Sequence, residues 1–114
     1  MEIVQESQAP FRLSYRPGDG DRNINGDVHG GILYYVCDEA IGRYVTAMGR
    51  TGAAADGSIH YYRPARAHEK FTVTVSERKV GRRLGVFLVE AKDEQDRLIA
   101  DAVFTVAFSD RKEE

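Results

Sequence analysis

Asn23-Ile24-Asn25-Gly26-Asp27-Val28-His29-Gly30-Gly31-Ile32-Leu33-Tyr34-Tyr35-Val36-Cys37-Asp38-Glu39-Ala40-Ile41-Gly42-Arg43-Tyr44-Val45-Thr46-Ala47-Met48 decides the reading of the whole chain. A polar, glycine-rich loop runs straight into an apolar segment, Ile32 to Met48. In that segment Ile32, Leu33, Val36, Cys37, Ala40, Ile41, Tyr44, Val45 and Met48 recur at three- and four-residue steps over more than one face, the pattern of a helix covered on most sides. Roughly 18 residues at about 1.5 Å rise give about 27 Å, enough to cross a small domain. A helix that starts from Gly-Gly leaves its free N–H groups and positive dipole end open to approach, a place that attracts negative charge.

One residue does not fit that helix. The three- and four-residue neighbours of Asp38 are Tyr34, Tyr35, Ile41 and Gly42, which offer no positive partner. Glu39, by contrast, has Arg43 four positions on, the favourable order for an ion pair. A carboxylate on an apolar stripe costs free energy unless it is used, which makes Asp38 the first functional candidate. The plain alternative is that Asp38 faces solvent at a helix edge or caps a loop.

The rest of the chain sets the frame. Its 114 residues suit one domain, 1–114, with an ordered core over about 11–108, and so small a chain needs a second copy to cover an all-round apolar helix. With 42% hydrophobic residues, 30% charged and a net charge of −2, global charge makes no case for nucleic acid. Cys37 is the only cysteine, so no disulfide framework exists and a reduced, cytoplasmic setting is expected. Met1 to Glu6 lack the basic start and apolar core of a signal peptide and no run approaches membrane length, so neither a leader nor a span is expected.

Residues 1–10 read as a short arm or frayed terminus. Phe11 to Arg16 alternates as a strand, and Pro17 to Asp21 ends it. After the helix, Gly49-Arg50-Thr51-Gly52 makes a turn and the period changes to two. Strands are expected at Ser58 to Arg63, around Phe71, Val73 and Val75, at Leu84 to Ala91, and from Leu98 to Phe108, followed by a solvated tail, Ser109 to Glu114. One strand, one long helix and about four further antiparallel strands is an α+β layout of about five strands curled over a helix.

Several motifs fail on inspection. Asp21-x-Asn23-x-Asn25-Gly26 matches the first half of a calcium loop, but its twelfth position is Ile32 where a bidentate Glu is required. His29, His60, His68 and Cys37 lack metal-ligand spacing, so no metal is expected. No Gly-x-Ser-x-Gly elbow or P-loop occurs. Arg63, Arg66, Lys79, Arg82 and Arg83 fall at strand ends and a hairpin, either as a solubilising rim or as a cradle for the phosphates of a bound nucleotide.

Asn23-x-x-Gly26-x-x-His29-Gly30-Gly31, then Asp38, then Tyr61-Tyr62-Arg63-Pro64-Ala65, Gly81-Arg82-Arg83 and a closing Leu98-Ile99-Ala100 strand resemble the hotdog-fold acyl-CoA thioesterases, most closely the phenylacetate-degradation (PaaI-like) branch of the 4-hydroxybenzoyl-CoA thioesterase superfamily. The resemblance covers about residues 11–108. It implies that the Gly30 N–H polarises a thioester carbonyl, that Asp38 is general base or nucleophile, and that Asn23 helps place water or the carbonyl. It further implies a homodimer or homotetramer with the site at a subunit interface, Asp38 of one subunit meeting Gly30 and Asn23 of another. The substrate would be an aromatic or medium-chain acyl-CoA. Among the substrate-binding residues His29 would be structural or orienting beside Gly31, Tyr34 and Tyr35 would lie near the acyl group, and some of Arg63, Arg66, Arg82 and Arg83 at the phosphates. Coenzyme A is part of that substrate, and no cofactor, nucleic acid or membrane is implied.

One position departs from the pattern: relatives commonly carry Ser or Thr ten residues before the proline, where this chain has Ala54, so the auxiliary hydroxyl is missing or Thr51 or Ser58 substitutes from nearby. The rival reading is a non-catalytic acyl-CoA binder on the same fold, which would keep the basic rim and Gly30 but have no need of Asp38. A hydratase of this fold would resemble an Asp-x-x-x-x-His dyad, and none of the three histidines has one.

Overall fold

A computed structural model describes residues 1–110. The strands are β1 (Ile3–Gln8), β2 (Phe11–Tyr15), β3 (Gly52–Tyr61), β4 (Phe71–Val80), β5 (Leu84–Lys92) and β6 (Leu98–Phe108), and the one long helix, α1, spans Gly30–Ala47. All pairings are antiparallel, in the spatial order β1-β2-β4-β5-β6-β3.

Period-two alternation decides which face of each strand meets the helix. Leu13, Val73, Ala91 and Ala100 line up across β2, β4, β5 and β6, and the next inward row is Phe11, Val75, Val89 and Ala102. Phe87 and Phe104 form the row after that, fully buried. Thr72, Thr74 and Ser76 take the opposite face of β4, so a one-residue slip would exchange the core for hydroxyls.

Against these rows α1 buries Leu33, Val36, Cys37, Ala40, Ile41 and Val45. Ile32, Tyr34, Tyr44 and Met48 pack partly buried against the same core, so the expected coverage is found on all but one side. Gly31, Tyr35, Asp38, Gly42 and Thr46 form an exposed stripe poor in charge. Glu39 and Arg43 do pair, at 2.9 Å.

The sheet has six strands where about five were expected. The sixth is β1, formed by residues read as an arm; it lacks alternation and buries no side chain, so only its backbone pairing with β2, irregular between Gln5 and Ser7, defines it. Likewise β3 begins at Gly52, six residues before the expected start. Gly52-Ala-Ala-Ala-Asp-Gly57 has little strand propensity of its own and is held by its ladder to β6.

The tail also differs. Asp110, expected to be solvated, accepts from Arg50 Nε at 3.1 Å, while Arg50 donates to the carbonyls of Gly81 and Arg82 and lies 3.9 Å over the Phe108 ring. The remainder of the expected tail, 111–114, lies outside the described residues. Among the described residues no helix is long and apolar enough to cross a membrane.

Candidate active site

The loop before α1 is closed by its own backbone. Asn23 N–H donates to Asp27 O at 2.7 Å, and the Asn23 side-chain Oδ1 accepts from the N–H of Asn25 and Asp27 at 2.9 and 3.1 Å. Asp21, the other oxygen of the calcium-like motif, accepts from the Tyr15 hydroxyl and from Gly18 N–H. The bond from Tyr15 is the main reason the Asp21 carboxyl is held below its ordinary range, and Tyr15 is pushed up to about 12, by burial first and Asp21 second.

The closed loop is then fixed to its neighbours. Val28 N–H donates to Ala65 O and His29 N–H to Asp21 O, both at 2.9 Å, while Tyr62 and Arg63 donate to Ile99 O. Segment 62–66 thereby becomes a wall facing the start of α1.

Between that wall and the helix lies a cavity of about 410 Å³, lined by Asn23, Gly30, Leu33, Tyr61 and Arg63 among others. His29 is the N-cap but supplies no side-chain cap. No hydrogen bond among the described residues engages the N–H of Gly30 or Gly31. The helix therefore presents bare donors and the positive end of its dipole, the arrangement that stabilises a developing oxyanion. A Cβ at Gly30 would come within 2.9 Å of Tyr61 Cζ and Oη, whereas one at Gly31 would meet nothing within 4 Å.

The expected residues fall into separate groups. Asn23, Gly30 and Arg63 share the cavity, and His29 and Gly31 flank it in sequence. Arg66 is exposed just beyond, its backbone bridged to Asp27. Asp38 follows Gly30 and Tyr34 at four-residue steps, about 12 Å along the helix from Gly30, so one chain cannot bring both to one carbonyl.

Asp38 reaches solvent and pairs with no cation among the described residues. The protein around it still removes enough hydration that desolvation, with the Glu39 charge second, raises its carboxyl above the ordinary value. Tyr34 packs on Phe104 with ring centroids 5.3 Å apart, its hydroxyl filling a notch where a Gly57 Cβ would lie 2.3 Å away. Tyr35 is 49% exposed.

Arg82 and Arg83 belong to the opposite end of the sheet. Tyr61, Ala100 and Ala91 are level with the cavity, while Leu84 pairs with Ala107, which pairs with Ala53. Seven residues of β5 separate the two levels, about 23 Å at a strand's rise.

Facing also bears on the hydroxyl missing at Ala54. Ala54 pairs with the buried Val106, on the helix side, and Ser58 pairs with Val103 on the outer face, so Ser58 does not stand in for the missing hydroxyl. Tyr61 stands in the Tyr61-Tyr62-Arg63-Pro64-Ala65 run but has no role assigned from sequence.

A curled antiparallel sheet wrapped on one long helix, with that helix opening bare-ended onto a cavity, defines the hotdog class. Within that class the model of the thioesterase superfamily matches residues 25–100, and the chain belongs to that superfamily, whose enzyme class is thioester hydrolase. A Deinococcus radiodurans protein is 25% identical over 108 residues, 94% of this chain and 73% of its own length. The acyl-coenzyme A thioesterase PaaI of Escherichia coli is 29% identical over 79 residues, 68% of this chain, and the match spans only 56% of PaaI. Among solved structures, the protein smu.793 of Streptococcus mutans UA159 bound to acetyl CoA superposes with a TM-score of 0.92 over 99% of this chain and 93% of its own, at 19% identity, a likeness of fold.

Proposed function

We propose that the protein is an acyl-CoA thioesterase that hydrolyses an aromatic or medium-chain acyl-CoA to the free acid and coenzyme A, in a reduced cytoplasmic setting, as a homodimer or a tetramer built from dimers. The observation that carries this reading is the separation on α1: a bare N–H at Gly30 and a desolvated carboxylate at Asp38, about 12 Å apart on one helix. Two copies resolve it. Strand β3 is an edge ten residues long with no buried side chain, and its other side is open for pairing with a second β3. Antiparallel pairing about a two-fold axis would set Asp38 of one copy toward Gly30 and Asn23 of the other, and would bring the Arg82 and Arg83 end of one chain alongside the Arg63 and Arg66 end of its partner. The described similarity to PaaI supports the substrate class.

In this site Gly30 N–H donates to the carbonyl oxygen as it gains charge, worth about 2.7–4 kcal/mol for such a donor. Asp38 either takes a proton from the attacking water or attacks the carbonyl to form a mixed anhydride that water then opens. In both routes the C–S bond breaks and coenzyme A leaves as the thiolate. Because the Oδ1 of Asn23 is already bonded, its Nδ2 amide is the group left to hold the water or the carbonyl. Coenzyme A phosphates meet the arginines, and the acyl group lies near Tyr34 and Tyr35.

Free-thiol release from a panel of phenylacetyl-, hydroxybenzoyl- and straight-chain acyl-CoAs tests the reading. The wild type is expected to turn over part of the panel and Asp38→Asn to lose at least about a hundredfold in kcat. Binding of acyl-CoA without hydrolysis by the wild type would replace this reading with that of a non-catalytic binder.

A further inference from the structure

Helix α1 starts without a side-chain cap. Its first two residues are glycines, which lose the most freedom on ordering, and its N-cap histidine gives no side-chain bond to the first turn. An oxyanion donor is effective only if it is already in place when charge develops, so a frayed first turn would forfeit much of its value. Something outside the helix must hold it.

Tyr61 does so. It is the last residue of β3, paired to Ala100, and its hydroxyl donates to Gly30 O at 2.7 Å. Its ring occupies the space over Gly30, 2.9 Å from where a Cβ would stand. The carbonyl it binds belongs to the Gly30–Gly31 peptide unit, whose N–H is that of Gly31. The bond restrains that plane and polarises it, which strengthens Gly31 N–H as a donor while the ring limits movement of Gly30. Burial, with Cys37 and Tyr34 nearby, raises the phenol pKa and keeps the hydroxyl protonated as the donor.

We propose that Tyr61 is a positioning residue: its hydroxyl clamps the Gly30–Gly31 peptide and its ring covers Gly30, and together they hold the Gly30 donor of the site in register with the end of strand β3. The role rests on the thioesterase reading for its catalytic consequence, but the clamp itself does not. Tyr61→Phe keeps the ring and removes only the hydroxyl.

Three measurements on Tyr61→Phe test the proposal, with Tyr44→Phe, the same chemical change at a hydroxyl bonded to Glu77, as the control. The expected result is a fall in kcat of about tenfold with KM changed by less than about twofold. Backbone amide resonances of Gly30 and Gly31 should shift and broaden, with a melting temperature close to wild type, and Tyr44→Phe should leave both the kinetics and the two glycine resonances in place. Unmoved Gly30 and Gly31 resonances overturn the clamp. A moved resonance with unchanged kcat overturns the catalytic role, and a fall in kcat matched by an equal loss of folded protein reduces Tyr61 to a packing residue. If wild type hydrolyses no acyl-CoA, the thioesterase reading fails, and the glycine resonances alone still decide the clamp.

Discussion

At the scale of single residues, Asp38 is unusual because no cation among the described residues pairs with it and part of its hydration is gone. Desolvation and then Glu39 push its carboxyl upward from 3.8. A base must be ionised, so activity falls as pH drops through that raised value, and the acidic limb of kcat/KM is expected above the ordinary carboxylate range. Glu39→Gln removes the second cause and should move the limb to lower pH; a pH–rate profile in which it stays put or rises would count against Asp38 as the group being titrated. The same shift has a stability sign. An acid whose folded pKa is raised holds protons more tightly in the folded state, so its ionisation costs stability as pH rises past its unfolded value. Asp38→Asn should therefore melt no lower than wild type at pH 7 in a thermal scan, which makes its loss of turnover a statement about chemistry.

At the scale of elements, β3 carries most of what the site needs from the sheet: Tyr61 at one end, the notch at Gly57, and Ala54 on the helix side. The facing predicts that Ser58→Ala leaves kcat within about twofold of wild type, while Ala54→Ser, which restores a hydroxyl on the helix side, raises kcat by severalfold or more in steady-state assays. A drop in rate with Ser58→Ala would contradict the facing argument.

This element also marks how far sequence could be read. Helix α1 was legible because Leu33, Val36, Cys37, Ala40, Ile41 and Val45 repeat at its period, and β6 because Ala100, Ala102, Phe104 and Val106 alternate. The first half of β3 was not, since Gly52 to Gly57 become a strand only through pairing with residues about fifty positions later. For the site, Gly30, Asn23 and Arg63 stood in recognisable motifs and the fold gathers them. Tyr61 escaped because its role is a bond to a backbone carbonyl, and no side-chain pattern records that.

At the scale of the whole molecule, a site shared between copies has a signature that no single-chain site produces. Asp38→Asn and Asn23→Ala are each expected to be inactive alone. Mixed in equal amounts under conditions of subunit exchange, half the dimers become hybrids, each rebuilding one intact site from two healthy halves, so activity should return to about a quarter of wild type. Mixing that restores nothing, while mass measurement shows exchange, would place each site within one chain. One further feature bears on endurance. Cys37, the only thiol, is fully buried, with burial pushing it up to about 12. A thioester hydrolase releases a free thiol at every turnover, and in oxidising conditions such a product readily caps exposed cysteines as mixed disulfides. A protonated thiol sealed beneath the helix gives that product nothing to attach to, so the protein is protected from inactivation by what it makes and stays silent to the thiol dyes that would report its turnover.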